Sequence, residues 1–347
     1  MRYRPNISAM SGYQPGEQPQ AGKFIKLNTN ENPYPASDAV THAIRTTAEA
    51  GLAKYPDPVA TAFRRRAGEV LGVDPDWILC GNGSDDILTM LTRTFVGEGE
   101  KLRTMTPSYT LYKTLTDIQG GVCELIRFND DWTLPAAVGE NFDDVRIVML
   151  ANPNSPSGTT VAPEEILELS ERLPCPLLVD EAYVDFADQH CLGLVEKSAK
   201  IMVSRSLSKS YALAGLRFGF VVAQPQVIAE LMKVKDSYNC DALSIAAATA
   251  AINDQEWLFE NRAKVIASRE RFAAELAQLG FSVQPSQANF VWTTHSSGEH
   301  LRIYESLKSA RILVRYMSYD GWGDGIRITI GTDSELDACL AQLKSIL

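Results

Sequence analysis

The sequence predicts an α/β protein: a large unit built on a mostly parallel sheet sandwiched by helices, followed by a smaller α+β unit. Three observations carry this. Short, largely apolar runs of three to seven residues alternate with amphipathic stretches of helical period from about residue 77 to 255, the pattern of buried strands in a sheet covered on both faces. The chain has 347 residues, 45% hydrophobic and 22% charged, a length that suits a large domain with a smaller companion. After a long helical stretch near 256–279 the spacing of strands and helices changes style.

Residues 1–35 are rich in Pro, Gly, Asn and Gln and read as an extended arm rather than a helix. Residues 38–50 and 59–71 have helical periodicity. Pro56 and Pro58 force a turn between them. Strands are expected at 77–80, 101–106, 122–128, 145–150, 177–180, 201–203 and 218–222, with helices at 85–96, 109–119 and 164–172. The chain turns helical from 226. The tail gives strands at 289–293, 312–315 and 325–330, with helices at 298–310 and from 334. The expected organisation is an arm (1–37) joining the small unit, a large unit (38–255) and a small C-terminal unit (256–347).

Formal net charge is −10, which argues against nucleic acid or an anionic membrane face as a partner. The six cysteines include no Cys-x-x-Cys pair, and the four histidines show no metal-ligand spacing. A disulfide scaffold or metal site is therefore not expected, and a cytoplasmic location is. No signal pattern or membrane span is read in the chain.

The chemistry concentrates in loops that follow the expected strands, which in a parallel sheet converge on one crevice. Gly81-Asn82-Gly83-Ser84-Asp85 opens a helix. It is either a phosphate cradle of backbone N–H groups or a glycine turn capped by Ser84 or Asp85. Tyr109 begins the next helix, placed to stack on a flat ring; Tyr112 reads as core. Asn152-Pro153-Asn154-Ser155-Pro156-Ser157-Gly158 makes a rigid loop offering side-chain amides. Asp180 ends an apolar strand, where a buried carboxylate needs a cationic partner unless it only caps the next segment. Tyr183 follows three residues later. In 204–219, small hydroxyl residues surround Lys209, and Arg217 lies eight residues on. A lysine becomes a Schiff-base nucleophile where desolvation or a nearby cation favours the neutral amine. Ser206, Ser208 and Arg217 are suited to a phosphate beside it. Arg327 interrupts an apolar strand and calls for an anionic ligand or an internal ion pair. Together these loops offer a phosphate cradle, a ring stacker, a carboxylate for a ring nitrogen, a hydroxyl for a ring oxygen and a lysine for an aldehyde. One cofactor uses all five: pyridoxal 5′-phosphate.

With these motifs the chain resembles the fold-type I pyridoxal-phosphate aminotransferases, and within them the histidinol-phosphate aminotransferases. The resemblance runs over nearly the whole chain. The segments Tyr13-Gln14-Pro15-Gly16 and Asn30-Glu31-Asn32-Pro33-Tyr34 narrow it to that family. It implies a Schiff base between Lys209 and the cofactor, with Lys209 also carrying the proton of the reaction. It implies Asp180 on the pyridine nitrogen, Tyr183 on the ring oxygen and Tyr109 stacked on the ring. Ser84, Asp85, Ser206, Ser208 and Arg217 hold the phosphate. Tyr55 reaches the neighbouring subunit's phosphate, which implies a homodimer with shared active sites. Tyr13, Asn30, Arg315 and Arg327 contact substrate. The chain departs from the family at Ser155, where an asparagine usually precedes the proline and bonds the ring oxygen; Asn154 is the adjacent amide available for that contact. The implied reaction interconverts histidinol phosphate and imidazole acetol phosphate, with 2-oxoglutarate and glutamate as the other pair. An aromatic or broad-specificity aminotransferase, a threonine-phosphate decarboxylase and a catalytically silent cofactor-binding protein are the alternatives.

Overall fold

The computed structural model describes residues 1–19 and 22–347. A short helix α1 (Pro5–Ala9) and strand β1 (Ile25–Lys26) precede helices α2 (Asp38–Glu49) and α3 (Thr61–Leu71). Then come β2 (Ile78–Gly81), α4 (Ser84–Phe95), β3 (Lys101–Thr106), α5 (Leu111–Gln119), β4 (Val122–Arg127) and β5 (Val145–Ala151). They are followed by α6 (Pro163–Arg172), β6 (Leu177–Asp180), α7 (Leu194–Lys197), β7 (Ile201–Ser206) and β8 (Gly219–Val222). Helices α8 (Pro225–Val234), α9 (Ala242–Asn253) and α10 (Gln255–Gln278) lead to β9 (Phe281–Val283), β10 (Phe290–His295) and α11 (His300–Ser309). The chain ends with β11 (Ile312–Leu313), β12 (Arg315–Tyr319), β13 (Gly323–Thr329) and α12 (Asp333–Ile346).

Among the described residues, seven strands form the large sheet in the order β2-β8-β7-β6-β5-β3-β4. Its strands alternate between two apolar cores. Val148, Leu150, Leu177 and Val179 face one side; Ile147, Met149 and Leu178 face the other. That two-sided burial is why the strands read as continuous apolar runs. All pairings are parallel except those of β8, which is antiparallel to both β2 and β7. Residues 207–218 contain one short turn of 3₁₀ helix and no α-helix. Without a crossover helix the chain cannot return to start a parallel neighbour, so it doubles back as an antiparallel strand. The start of β8 therefore meets the ends of β2 and β7: Gly219 pairs with both Gly81 and Ser206.

A four-stranded antiparallel sheet, β12-β13-β10-β9, carries the third core with α10, α11 and α12. Leu27 of the arm is buried in that core, and β1 pairs in parallel with β11. The arm departs from the extended expectation at α1, where Pro5 occupies the first helical turn, a position that needs no N–H. Arg4 and Asn6 donate to the carbonyls of Asp117, Ile118 and Gln119 at the end of α5, which anchors this turn. Strand β9 and helix α7, only three and four residues long, are too short to give a periodic signal in the sequence. Among the described residues no helix is long and apolar enough to cross a membrane, and no cluster of three or more His, Cys, Asp or Glu side chains is placed to hold a metal ion.

Candidate active site

A cavity of about 500 Å³ opens at the carboxyl ends of β2, β5, β6 and β7, closed on the other side by the arm and by β12 and β13. Lys209, Asp180, Tyr183, Tyr109, Ser84, Asp85, Ser206, Ser208 and Arg217 all line it. So do Tyr13, Asn30, Arg315 and Arg327, from elements far away in sequence.

Asp180 ends β6 between two neighbours, in register with Ser204 on β7 and Ala151 on β5. It is 3% exposed. Tyr112 Oη donates to its carboxylate at 2.8 Å and Ser204 Oγ at 3.0 Å. Desolvation nonetheless outweighs these donors and pushes its pKa up to about 6. Lys209 extends from the loop after β7, and its Nζ donates to the Thr29 carbonyl at 3.2 Å. Burial, reinforced by the positive charge of Arg327, brings its pKa down to about 8. A carboxylate reluctant to ionise and an amine inclined to neutrality thus share one cavity, the pairing expected where proton transfer is done.

The phosphate-type cradle forms where β2, β7 and β8 meet. Arg217, with φ of +54°, turns back so that Nη1 donates to Ser208 Oγ at 3.3 Å and Nη2 meets Asp85 Oδ2 at 3.1 Å. The Ser208 amide donates to Ser206 Oγ. Ser84 begins α4, so its amide belongs to the unpaired N–H groups of the first turn. Two glycines make the approach possible. A Cβ on Gly219 would lie 2.6 Å from the Ser84 nitrogen, and one on Gly83, whose φ is +85°, 2.6 Å from Arg217 Nη2.

Tyr109 donates to Asp85 Oδ1 at 3.2 Å and stands edge-on to Tyr112 and Tyr13. Tyr183 is half-buried, edge-on to Phe290, and its hydroxyl accepts from Asn30 Nδ2 at 3.0 Å. Asn30 therefore engages protein partners with its side chain as well as lining the cavity. Arg327 makes no ion pair with a carboxylate among the described residues. Its Nη1 donates to Ser155 Oγ at 2.9 Å and its Nη2 to the Asn28 carbonyl at 3.0 Å, while Nε, buried, has no partner. The internal ion-pair explanation of this arginine is thereby set aside. Arg315 holds the arm through the Gln14 and Pro15 carbonyls.

Asn154 is a correction. Its amide donates to the Pro107 carbonyl and Ser157 Oγ, and its Oδ1 accepts from Ser108 at 2.7 Å. These bonds turn it away from the cavity, which Ser155 lines instead. Tyr55 does not line the cavity of its own chain. It is 80% exposed and stacked on Tyr238 at 4.4 Å. Three contributors have little signal in the sequence. Tyr112 reads as core there, and it is fully buried, yet its ring stands against that of Tyr109, three residues earlier, and its hydroxyl reaches Asp180 in the same site. Ser204 lies directly opposite Asp180. Asn32 ties the arm to the Lys209 and Ser210 carbonyls; the asparagine-rich run 28–32 is its only signal.

Residues 22–343 match the family model of aminotransferase class I and II. The chain belongs to the class I and II aminotransferases. Within that family it is 58% identical over 345 residues to the histidinol-phosphate aminotransferase of Rhodopirellula baltica, covering 99% of this chain and 95% of that protein. It is 44% identical to the histidinol-phosphate aminotransferase of Geotalea uraniireducens, covering 99% of each. Among solved structures, the histidinol-phosphate aminotransferase of Sinorhizobium meliloti, in complex with pyridoxal 5′-phosphate, superposes with a TM-score of 0.90 at 28% identity, over 100% of this chain and 98% of that one. An aspartate aminotransferase from Thermus thermophilus shares the fold at 18% identity, TM-score 0.83, over 93% of this chain and 92% of that one. This aminotransferase thus carries its family's fold from arm to final helix.

Proposed function

We propose that the chain is a pyridoxal-phosphate-dependent histidinol-phosphate aminotransferase. The supporting observation is a single cavity with two separate cationic walls around Lys209. Arg217 belongs to the serine cradle. Arg315 and Arg327 come from the small sheet and lack carboxylate partners among the described residues. One wall suits the cofactor phosphate, leaving the other for an anionic substrate. Histidinol phosphate has no α-carboxylate, so its own phosphate is the group for that second wall. In the return half-reaction the carboxylates of 2-oxoglutarate take the same arginines. The relatives' names point to histidinol phosphate as the amine.

The residues fit pyridoxal 5′-phosphate. Ser84, Ser206, Ser208 and Arg217 would hold its phosphate, Asp180 its ring nitrogen, Tyr183 its ring oxygen and Tyr109 its ring face, with Lys209 bonded to its aldehyde carbon. Bound there, the cofactor supplies an electron sink for the charge left when substrate Cα loses a proton. The chain supplies the rest. Lys209 Nζ takes the Cα proton, favoured by its lowered pKa. Asp180, fixed by Tyr112 and Ser204, is the carboxylate that would favour a positive charge on the ring nitrogen. Arg327 and Arg315 orient the substrate, and the arm residues near Tyr13 limit water access.

Arg217→Met is expected to weaken cofactor binding roughly 10- to 100-fold, the worth of one or two charge-assisted hydrogen bonds, read by titrating cofactor-free protein with pyridoxal 5′-phosphate. The substrate assignment is tested by comparing kcat/KM for histidinol phosphate, phenylalanine, tyrosine and threonine phosphate with 2-oxoglutarate as acceptor. Histidinol phosphate is expected to lead. A lead for an aromatic amino acid, or release of carbon dioxide without 2-oxoglutarate, would overturn it.

A homodimer belongs to the same proposal. Leu52, Tyr55 and Tyr238 are exposed together, and a hollow of about 450 Å³ is lined by 52–56 and 241–243. That face suits a second copy, whose cavity Tyr55 would complete. The proposed units are the arm 1–37, the large domain 38–255 and the small domain 256–347.

A further inference from the structure

Asn30 has a left-handed backbone, φ +56°, and is 1% exposed. Its surroundings fix which way its amide points. The Asn30 backbone N–H donates to Thr329 Oγ1 at 2.9 Å, so the threonine hydroxyl is left to donate its hydrogen, and its partner is Asn30 Oδ1 at 3.0 Å. Oδ1 is thus the acceptor. Nδ2 is the end that faces Tyr183 and donates to its hydroxyl. The Asn30 carbonyl is held in turn by Asn289 Nδ2. A tyrosine hydroxyl has one hydrogen, and among the described residues no acceptor for it is found. It points into the cavity beside Lys209, whose Nζ lies 5.8 Å from the Tyr183 ring centre.

We propose that Asn30 is a positioning residue. By donating to Tyr183 it leaves that hydroxyl a donor into the cavity, and by hanging from Thr329 it ties this donation to strand β13 of the small sheet. The acceptor is the ring oxygen of the bound pyridine cofactor, so the inference rests on the functional reading above. It has a direct consequence for the protonation of the bound cofactor. Held through Lys209, the cofactor would lose a proton as pH rises, and its ring oxygen would then carry negative charge. A donated hydrogen bond is worth most to that charged form, and so lowers the pKa of the visible absorption band. The charged and titratable groups around Tyr183 are Lys209, Arg327, Asp180, Asp85, Tyr109, Tyr112 and Tyr13. None of them needs to change for the effect.

The test is Asn30→Asp in the holoenzyme, with the visible band titrated against pH. The carboxylate still accepts from Thr329, but it places a second acceptor where Nδ2 stood. Tyr183 then turns its hydrogen onto the aspartate, and the ring oxygen loses its donor. The band pKa is expected to rise by about one to two units, the worth of one hydrogen bond to a charged acceptor. In a Tyr183→Phe background, itself raised, Asn30→Asp is expected to add less than about a third of that. An undiminished rise in the phenylalanine background means that the aspartate charge acts directly, and overturns the proposal; so does no rise in either. Should Asn30→Asp not fold, Thr329→Val reports the same connection, with a smaller rise expected that Thr329→Ser abolishes. A wild-type protein that takes up no pyridoxal 5′-phosphate and shows no visible band refutes the functional reading itself. A titrating wild type with an unshifted Asn30→Asp refutes only the role of Asn30.

Discussion

Lys209→Met is expected to lower transamination by at least about 10⁴-fold, the upper range of a positioned acid–base group, while the protein stays folded and still binds the cofactor non-covalently. Lysine and methionine have similar length and flexibility, so packing changes little, and the substitution removes the hydrogen bond from Nζ to the Thr29 carbonyl. The pKa of about 8 adds a second, independent readout. In the unfolded chain this amine holds its proton up to about pH 10.4. In the folded, cofactor-free chain it gives the proton up near 8, because burial and Arg327 oppose the ammonium. The folded state binds fewer protons between these values. Its stability therefore rises with pH across that window, and the penalty is fully present at neutral pH. Removing the amine relieves it, so the cofactor-free variant is expected to melt no lower than wild type at pH 7. Activity within tenfold of wild type would dismiss Lys209 as the proton carrier; a large drop in melting temperature would show a structural residue instead.

The sheet and the site are legible in the sequence to different extents, for physical reasons. Strand 177–180 and the first half of 201–206 announce themselves because both faces are buried, so the run is apolar until the polar residues at its end, Asp180 in one case and Ser204 to Ser206 in the other. The direction of β8 is not legible: an apolar run looks the same in either orientation, and only the helix-free loop before it decides. Lys209, Asp180 and Tyr183 stand out because small or charged residues follow apolar ones directly. The partners that tune them are scattered. Tyr112, Ser204, Asn32 and Thr329 are ordinary residues whose roles arise from register and packing, across as many as 299 positions in the case of Asn30 and Thr329. Asn154 misleads because an amide beside a proline looks available, whereas three neighbours already hold it.

Asp180→Asn is expected to reduce kcat roughly 10²- to 10⁴-fold, the cost of removing one member of a buried charge pair, about 3–5 kcal/mol. The asparagine keeps the size of the aspartate and can still accept from Tyr112 or Ser204, so the fold is preserved. What it cannot do is stabilise a positive charge on the ring nitrogen, and that charge is what draws electrons from substrate Cα. The same substitution is expected to stabilise the cofactor-free protein. Folded Asp180 holds its proton up to about pH 6, against 3.8 for the ordinary group. The folded state therefore binds the extra proton between those values, and its stability falls as pH rises through the window. Above pH 6 the penalty is complete, on the order of 3 kcal/mol, and asparagine does not incur it. Denaturant titration of cofactor-free protein at pH 7.5 and pH 4.5 checks this: the variant's advantage is expected at the higher pH and should shrink at the lower. Lower kcat together with higher cofactor-free stability is the signature of a group kept for its charge against the preference of its surroundings. An Asp180→Asn enzyme of wild-type activity, or one destabilised at both pH values, would mean that the carboxylate serves the fold rather than the ring.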